Sequence, residues 1–253
     1  MEADAARIPV TDEGLLRGDG VFEVMKLYAG RPFALEDHLA RMERSAANLR
    51  LPLDLQAVRA DIAATLEAAG AVDDKTLRVL VTRAGHRVLL VENLKRLPPT
   101  VALATITYAP VRLLDGVKSL SYGANMLATR LAVERGADEA LLTTPHGRVL
   151  EAPTRSFFYA LDGALCTPPL SDHILDSITR RRLMGLVEVD ERATTVEDLA
   201  RAEEAFLAST TQEVLPVHRV DAIELPAAPG ALSRAAAAAM REHIAAELAA
   251  VAH

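Results

Sequence analysis

The chain has 253 residues, which leaves room for one large domain or two modest ones. Its formal net charge of −7 argues against nucleic acid or an anionic membrane as the main partner. No apolar run approaches the roughly 20 residues that span a bilayer, the N-terminus lacks the pattern of a signal peptide, and the single cysteine, Cys166, excludes an intramolecular disulfide. We therefore expect a cytoplasmic protein.

Residues 1–108 predict a small α+β domain. An apolar strand, Val21–Tyr28, follows a turn-rich start, and apolar residues at helical spacing then predict two helices, the second of which ends at Gly70. Three further strand patterns complete this domain: Thr76–Thr82, Arg87–Val91 and Thr100–Tyr108. The segment 109–117 contains a proline and a glycine and is predicted to be the linker.

Residues 118–253 predict a larger domain that is rich in strands. It begins with a helix at Ala124–Arg135 and ends with the alanine-rich helix Leu232–Ala250. Between these helices the strand patterns are Glu139–Thr144, Arg148–Glu151, Ser156–Leu161, Ala164–Thr167, Ala205–Ala208 and Val214–Val220. Hairpin turns are predicted at His146-Gly147 and Asp162-Gly163, and further helices at Ile178–Val187 and Val196–Ala202.

Lysine is rare in this chain, and its positions are Lys26, Lys75, Lys95 and Lys118. Lys75 and Lys95 stand among charged and polar residues, which indicates solvated surface, whereas Lys118 stands between apolar residues. An amine that must lose its proton and attack a carbonyl can only be a lysine, because a guanidinium stays protonated. The alternative for Lys118 is a lysine at a strand end whose amine reaches water.

Two stretches with chemically informative residues carry a resemblance to a known family. Gly116–Asn125 reads Gly-Val-Lys-Ser-Leu-Ser-Tyr-Gly-Ala-Asn, and Glu151–Ser156 reads Glu-Ala-Pro-Thr-Arg-Ser. Together with Gly-Asp-Gly-Val-Phe-Glu at Gly18–Glu23, they resemble the fold-type-IV pyridoxal-phosphate enzymes, which include D-amino-acid and branched-chain aminotransferases, aminodeoxychorismate lyases and (R)-amine transaminases. The resemblance implies a small N-terminal α+β domain and a larger, β-barrel-like C-terminal domain with flanking helices.

The resemblance also assigns the cofactor, pyridoxal 5′-phosphate, and its two chemical anchors. It implies that Lys118 forms the Schiff base and moves a proton during the reaction, and that Glu151 faces the ring nitrogen and keeps it protonated. Ala152 and Ser156 stand where the family usually has Gly and Asn. Without the motif, Glu151 reads as a solvated strand residue. No metal site is predicted.

Three further motifs predict a cradle for the cofactor phosphate. His38–Ala46 matches the family pattern H-x-x-R-x-x-x-S-A and implies that Arg41 binds the phosphate. Leu175–Arg181 matches L-P-G-I-T-R and implies that the amides of Ile178 and Thr179 do so at a helix N-terminus. The last motif, Ala208–Val217, implies contacts from Ser209 and Thr210. Taken singly, these residues read as a solvated arginine, a basic helix start and a turn.

The residues predicted to contact the substrate are less firmly tied to a motif. Tyr122 is predicted to line the pocket or to contact the cofactor's phenolic oxygen, with a packing tyrosine as the alternative, and Thr211 follows the cradle residues. Arg83 and Arg87 lie between two predicted strands, where the family places groups that bind the substrate carboxylate. Their alternative is a pair of strand-end charges that face water.

The resemblance leaves the reaction open among three functions, since the family's reactions begin in the same way. We favour an aminotransferase that acts on D-amino acids, with branched-chain L-amino acids or (R)-amines as possible donors and a 2-oxo acid as acceptor. The alternatives are an aminodeoxychorismate lyase, which releases pyruvate and 4-aminobenzoate, and a protein that binds the cofactor without turnover. The resemblance further implies a homodimer with active sites at the interface.

Overall fold

The computed structural model describes residues 5–250 and separates into two compact units. Within these residues, the first unit comprises 5–95 and Gly116–Tyr122, and the second comprises Arg96–Asp115 and 123–250. Among the described residues, the helices are too short or too polar to cross a membrane.

The first unit is built on a four-stranded antiparallel sheet in the order β2-β1-β3-β4. Its strands are β1 (Gly20–Tyr28), β2 (Arg31–Pro32), β3 (Lys75–Thr82) and β4 (Arg87–Asn93). Its helices are α1 (Glu13–Arg17), α2 (Leu35–Asn48) and α3 (Leu55–Ala69). The predicted strand and both predicted helices are confirmed, and Gly70 ends α3 with a positive φ of 70°. The short helix α1 lies in the stretch that was predicted as turns, and the Asp12 carboxylate caps it.

The core of this unit forms where one face of β1 meets the apolar stripe of α2. Residues of β1 alternate between two faces, so that Val21, Met25 and Leu27 all point to the core. The stripe on α2, which includes Leu39 and Met42, packs against them. Glu23 has the same parity as these strand residues, and its carboxylate is therefore placed on the core face.

The second unit is built on a larger mixed sheet in the order β6-β5-β11-β10-β7-β8-β9, with β12 beside β11. The strands are β5 (Val101–Thr107), β6 (Glu139–Thr143), β7 (Ser156–Leu161), β8 (Ala164–Thr167), β9 (Asp190–Glu191), β10 (Glu204–Ser209), β11 (Glu213–Val220) and β12 (Ile223–Glu224). The long helices are α4 (Gly123–Glu134), α5 (Ile178–Leu186) and α6 (Ala231–Ala250). The predicted fold class, a two-part α+β fold with a strand-rich second part, is confirmed by this architecture.

The contacts divide the chain differently from the predicted boundaries of 1–108, 109–117 and 118–253. Strand β5 pairs in parallel with β11 and with β6, so it belongs to the second sheet and not to the small domain. The segment Gly116–Tyr122 belongs to the first unit, because Ser119 bridges to Val21 of β1. Both departures depend on pairing between residues that lie far apart in sequence, which a local pattern does not report.

Most of the predicted elements in the second half are present, with two departures. Asp162 and Gly163, with φ of 56° and 78°, form the predicted turn between β7 and β8. The predicted strand Arg148–Glu151 is wrong as a regular element, because its residues make isolated bridges: Val149 with Thr143, and Arg148 with Thr195. The predicted helix Val196–Ala202 is a short 3-10 turn at Asp198–Arg201.

Candidate active site

Lys118 is held beside the first strand of the small unit by backbone hydrogen bonds. Its carbonyl accepts a bond of 3.2 Å from the Phe22 amide, and two residues later the Leu120 amide donates to Gly20 at 2.9 Å. The Lys118 amide itself donates to the Ser45 hydroxyl on α2 at 3.1 Å. Lys118 lies in an irregular segment, and these bonds tie its backbone to β1 and α2, so that its side chain starts from a fixed position.

The amine of Lys118 lies against two aromatic rings. Its Nζ is 4.3 Å from the ring centroid of Phe22 and 5.3 Å from that of Tyr122, and it lies 3.5 Å from the Tyr122 hydroxyl. The two rings meet edge to face with centroids 5.0 Å apart. Tyr122 thus lies next to the lysine, as its predicted role in the pocket requires. An aromatic surround supports a positive charge through the ring faces.

Helix α2 presents His38, Arg41 and Ser45 on one side, because residues three and four positions apart share a helix face. Opposite them on β1, Glu23 is 1% exposed and accepts two bonds from Arg41, at 2.7 Å from Nε and 2.6 Å from the terminal nitrogen NH2. Glu23 also lies 2.7 Å from Nδ1 of His38, which is fully buried. Sequence reasoning did not assign a role to Glu23 or His38. A carboxylate at a core-face position of an apolar strand was the signal that could have pointed to this cluster.

The charges within this cluster set the ionisation of its members. Burial by itself raises the pKa of Glu23, but the Arg41 guanidinium and the hydrogen bond from His38 lower it to about 2. Burial lowers the pKa of His38, although Glu23 partly opposes that effect. Arg41 is therefore committed to Glu23 through two nitrogens, whereas the motif assigned it to the phosphate. Its contact with phosphate stays a prediction.

The two arginines predicted for the substrate have different surroundings. Arg83 binds the carboxylate of Asp19 and donates to the carbonyls of Leu49, at 2.8 Å, and Arg50, at 3.0 Å. Three contacts to this unit itself indicate that Arg83 supports the structure. Arg87, which is as exposed as Arg83, pairs with Asp61 at 2.5 Å and makes fewer contacts, so it is the easier of the two to redirect to a ligand. Neither role has been tested by these contacts.

Glu151 lies in the second unit and is fixed from both its backbone and its side chain. Its carbonyl accepts from the Leu142 amide at 2.9 Å, and its Oε1 accepts from the Leu175 amide at 3.0 Å. Burial, and to a lesser degree the charge of Glu151, raises the pKa of Tyr108. Glu151 is half-buried, which differs from the solvated strand residue that was its alternative reading.

The N-terminus of α5 and the turn after β10 come together in the second unit. Ser177 caps the helix by accepting from the Arg180 amide at 3.4 Å, and the first-turn amides of Ile178 and Thr179 have no i−4 carbonyl to bind. The hydroxyls of Thr179 and Thr210 lie 3.5 Å apart. The predicted cradle residues of this unit are therefore neighbours, and they combine hydroxyl donors with the positive end of a helix dipole.

The last part of the predicted cradle is the turn itself. The Ser209 hydroxyl lies 3.4 Å from that of Thr211 and accepts from the Gln212 amide at 3.3 Å. Ser209 is nearly buried and Thr211 is half-buried. The turn is thus ordered by its own side chains, and it brings several hydroxyls to the end of β10.

The motif around Glu151 departs from the family pattern in sequence, but it still forms a hydrogen-bonded turn. Ala152 is buried and exchanges backbone bonds with Arg155, which closes a tight turn. Arg155 donates to Glu139 at 2.7 Å, so this additional cation is neutralised inside the unit. Ser156 is buried, and its hydroxyl has no partner among residues 5–250.

The donor set fits pyridoxal phosphate, which needs an amine, a carboxylate and an anion cradle. Lys118 supplies the amine on a rigid backbone, Glu151 supplies a carboxylate with one oxygen bound to a backbone amide, and α5 with Thr210 supplies amide and hydroxyl donors. Among the described residues, the acidic groups, histidines and cysteine do not cluster as a metal site does. These groups suit a ligand that is an organic phosphate ester with a reactive carbonyl.

Comparison with known proteins identifies the family. The model of the amino-transferase class IV family matches residues 20–220. The chain belongs to this family. Its enzymes use pyridoxal phosphate, and the relatives named as aminotransferases indicate a pyridoxal-phosphate-dependent transaminase. The matched range contains Lys118, Glu151 and every predicted cradle residue.

Two curated relatives cover most of the chain. A putative branched-chain-amino-acid aminotransferase of Methanocaldococcus jannaschii is 33% identical over 85% of this chain and 83% of its own length. A D-alanine aminotransferase of Bacillus licheniformis is 30% identical over 98% of this chain and 96% of its own length. The chain is therefore similar to enzymes that are named for two different substrate classes within one family.

Solved structures give the same result for the fold. A hypothetical aminotransferase from Mycobacterium tuberculosis in its pyridoxal-phosphate-bound form is 26% identical, with a TM-score of 0.86 over 98% of this chain and 96% of its own. A 4-amino-4-deoxychorismate lyase from Pseudomonas aeruginosa is 29% identical, with a TM-score of 0.82 over 94% and 96%. The fold accordingly serves both transamination and the lyase reaction.

Proposed function

We propose that this chain is an aminotransferase that moves an amino group from a D-amino acid to a 2-oxo acid. The observation that carries the proposal is the similarity to a D-alanine aminotransferase over 98% of this chain. The strings Gly-Asp-Gly-Val-Phe-Glu-Val-Met-Lys and Ser-Thr-Thr-x-Glu-Val-x-Pro-Val, which resemble that class of enzyme, support it. Branched-chain L-amino acids and (R)-amines are the other donors within the proposal.

Pyridoxal phosphate, when bound, supplies the carbonyl that accepts the amino group and the ring that withdraws electrons from the substrate's α-carbon. Lys118 would hold the cofactor through Nζ and, once released, carry a proton to and from the reacting carbon. The Phe22 and Tyr122 rings beside Nζ limit the directions that the amine can take. Lys118 therefore combines attachment and proton transfer in one side chain.

Residues of the second unit would bind and orient the cofactor. Glu151 would accept a hydrogen bond from the protonated ring nitrogen, which raises the proton affinity of that nitrogen. Ile178, Thr179, Ser209 and Thr210 would donate to the phosphate. Arg41 stays the predicted cation for the phosphate. Arg87, with Thr211, is the proposed contact for the substrate carboxylate, because a bidentate guanidinium fixes the orientation of an amino acid.

A second candidate function is the release of pyruvate and 4-aminobenzoate from aminodeoxychorismate. The similarity to the P. aeruginosa lyase favours it, because the 29% identity to that enzyme is close to the 30% identity to the D-alanine aminotransferase. Both reactions need the same amine, carboxylate and cradle, so these residues do not discriminate between them.

A screen of single half-reactions tests the proposal. Purified enzyme loaded with cofactor is mixed with individual D-amino acids, L-amino acids and (R)-amines, and the loss of its visible absorbance is followed. We expect the fastest loss with a D-amino acid. Pyruvate release from aminodeoxychorismate, without conversion of any amino acid to a 2-oxo acid, would replace the proposal by the lyase.

We also propose a homodimer in the cytoplasm, as the family resemblance implies. Sedimentation equilibrium of the purified enzyme measures the mass directly. A monomer that retains full activity at nanomolar concentration would contradict the dimer.

A further inference from the structure

Glu151 connects a rigid part of the second unit to the segment that leads into α5. Its backbone is bound to Leu142 of β6, and its Oε1 accepts from the Leu175 amide at 3.0 Å. Leu175 lies immediately before Asp176 and the capping residue Ser177. A carboxylate that receives a backbone N–H makes a charge-assisted bond, which is stronger than a neutral one.

The residues just before Leu175 are held by two ion pairs that each have an exposed member, and further upstream the Pro168 carbonyl accepts from the buried Arg180 at 3.0 Å. Asp172 pairs with Arg148 at 2.8 Å, and His173 with Asp115 at 2.7 Å, but Arg148 and Asp115 are each 43% exposed at their side chains. Exposed pairs contribute little to stability. The bond from Leu175 to Glu151 therefore anchors the backbone immediately before the capping residue Ser177.

We propose that Glu151 is a positioning residue for the phosphate cradle, in addition to its role at the ring nitrogen. By fixing the Leu175 amide, Oε1 fixes the turn that begins at Ser177 and hence the direction of the Ile178 and Thr179 amides. This inference rests on the proposed assignment of those amides to the phosphate. It predicts that loss of the acceptor at position 151 weakens phosphate binding, even though loss of the negative charge alone would strengthen it.

Two neutral substitutions of similar length separate the acceptor from the charge. Glu151→Gln keeps an oxygen for the Leu175 amide, whereas Glu151→Met removes it. For each protein, the dissociation constants of pyridoxal 5′-phosphate and of pyridoxal are measured by visible absorbance without substrate. The ratio of the pyridoxal dissociation constant to the pyridoxal 5′-phosphate dissociation constant measures the contribution of the phosphate, because the rest of the two molecules is the same. We expect Glu151→Gln to keep at least the wild-type ratio. Glu151→Met should lower the ratio about tenfold, as for a partly buried amide left without its acceptor.

A matched control is the glutamate at position 203, whose carboxylate accepts from the Gly163 amide at 2.9 Å in the turn between β7 and β8. Glu203→Met removes the same kind of contact elsewhere and should leave the ratio unchanged. Glu151→Asp keeps the charge but withdraws the oxygens by one methylene, and it should also lower the ratio, which covers the case that Glu151→Met does not fold.

Equal ratios for Glu151→Gln and Glu151→Met would overturn the inference. The measurement contains no amino donor, so a failure of the proposed amino transfer leaves this result unaffected. Conversely, if all variants keep the wild-type ratio and the enzyme has the proposed substrate specificity, only the positioning role of Glu151 is excluded.

Discussion

Lys118 has a rigid backbone and an aromatic surround, and this combination distinguishes it from the other lysines. Lys75, by contrast, donates to Asn93 at 2.5 Å near the end of an exposed strand pair. A nucleophilic amine needs fixed geometry, because misplacement by about 1 Å can cost a hundredfold in rate. The residue that was predicted from its apolar neighbours is also the one that the structure holds in place.

Replacement of Lys118 tests its attachment to the cofactor. Lys118→Ala should purify without the visible absorbance band of the bound cofactor, because no other amine takes its place. Lys75→Ala and Lys95→Ala should keep the band. An absorbance spectrum of each purified protein is sufficient. A variant Lys118→Ala that still carries covalently attached cofactor after borohydride treatment would show that another residue is the nucleophile.

The cluster of Glu23, His38 and Arg41 should dominate the acid sensitivity of the first unit. Its carboxylate has a pKa of about 2 instead of 4.5, so its contribution to stability is present above about pH 4.5 and is lost as the pH falls towards 2. Glu23→Gln leaves the Arg41 charge buried without a counter-charge, which typically costs about 3–5 kcal/mol.

Thermal unfolding measured across pH checks this prediction. The wild type should be far more stable than Glu23→Gln above pH 4.5, and the gap should narrow as the pH approaches 2. Glu36→Gln is a useful control, because Glu36 pairs with Arg59 on the surface and is 72% exposed. A gap that stays constant down to pH 2 would mean that Glu23 is not ionised in the folded protein.

Among the elements, α6 depends on a cap that comes from the sheet. Glu204 of β10 is buried and accepts from the Leu232 and Ser233 amides, each at 2.8 Å. A carboxylate at a helix N-terminus satisfies orphan amides and interacts favourably with the helix dipole. Gly230 precedes the helix and leaves the space that this carboxylate occupies, since a Cβ there would lie 2.3 Å from the Glu204 side chain.

Two glycine substitutions should therefore have opposite effects on stability. Gly230→Ala should lower the free energy of unfolding by about 1–3 kcal/mol, because the Glu204 carboxylate cannot move without losing its bonds. Gly185→Ala, in the exposed part of α5, meets no atom within 4 Å and should raise it by up to about 1 kcal/mol. Urea unfolding of both variants measures the difference. A neutral Gly230→Ala would show that Glu204 is not held at the helix start.

At the scale of the whole molecule, the residues predicted to bind the cofactor belong to both units. The first unit contains the amine and the buried arginine, and the second contains the carboxylate and the helix N-terminus. Neither unit by itself contains all of these predicted residues. The residues proposed for the substrate are divided as well, since Arg87 belongs to the first unit and Thr211 to the second.

The choice of substrate tests the role of Arg87. If it binds the substrate carboxylate, Arg87→Ala should raise the KM for a 2-oxo acid acceptor at least tenfold, while the KM for an (R)-amine without a carboxylate changes little. Asp61→Ala is the matched control, because it removes the partner that Arg87 has in this structure and leaves the guanidinium. Equal effects of Arg87→Ala on both substrates would exclude Arg87 as the anchor.

The sequence by itself determined the family, the cofactor, and the elements whose patterns are local. The stripe of α2, the alternation of β1 and the positions of Lys118 and Glu151 follow from neighbours within a few residues. The same local information identified the order of the motifs and hence the cofactor, but it left the reaction open. It also pointed to the hairpin turn at Asp162, where two consecutive residues adopt positive φ.

Only the tertiary structure decided which distant residues meet. Glu23 is bound to Arg41, Arg83 is bound to Asp19 and to two carbonyls, β5 joins the second sheet, and Glu151 accepts from Leu175. Each of these contacts joins segments that are separated by turns and helices. Which segments meet depends on how the sheets and helices pack. Burial of the apolar faces fixes the register, and the polar groups then bind the polar groups that lie opposite them.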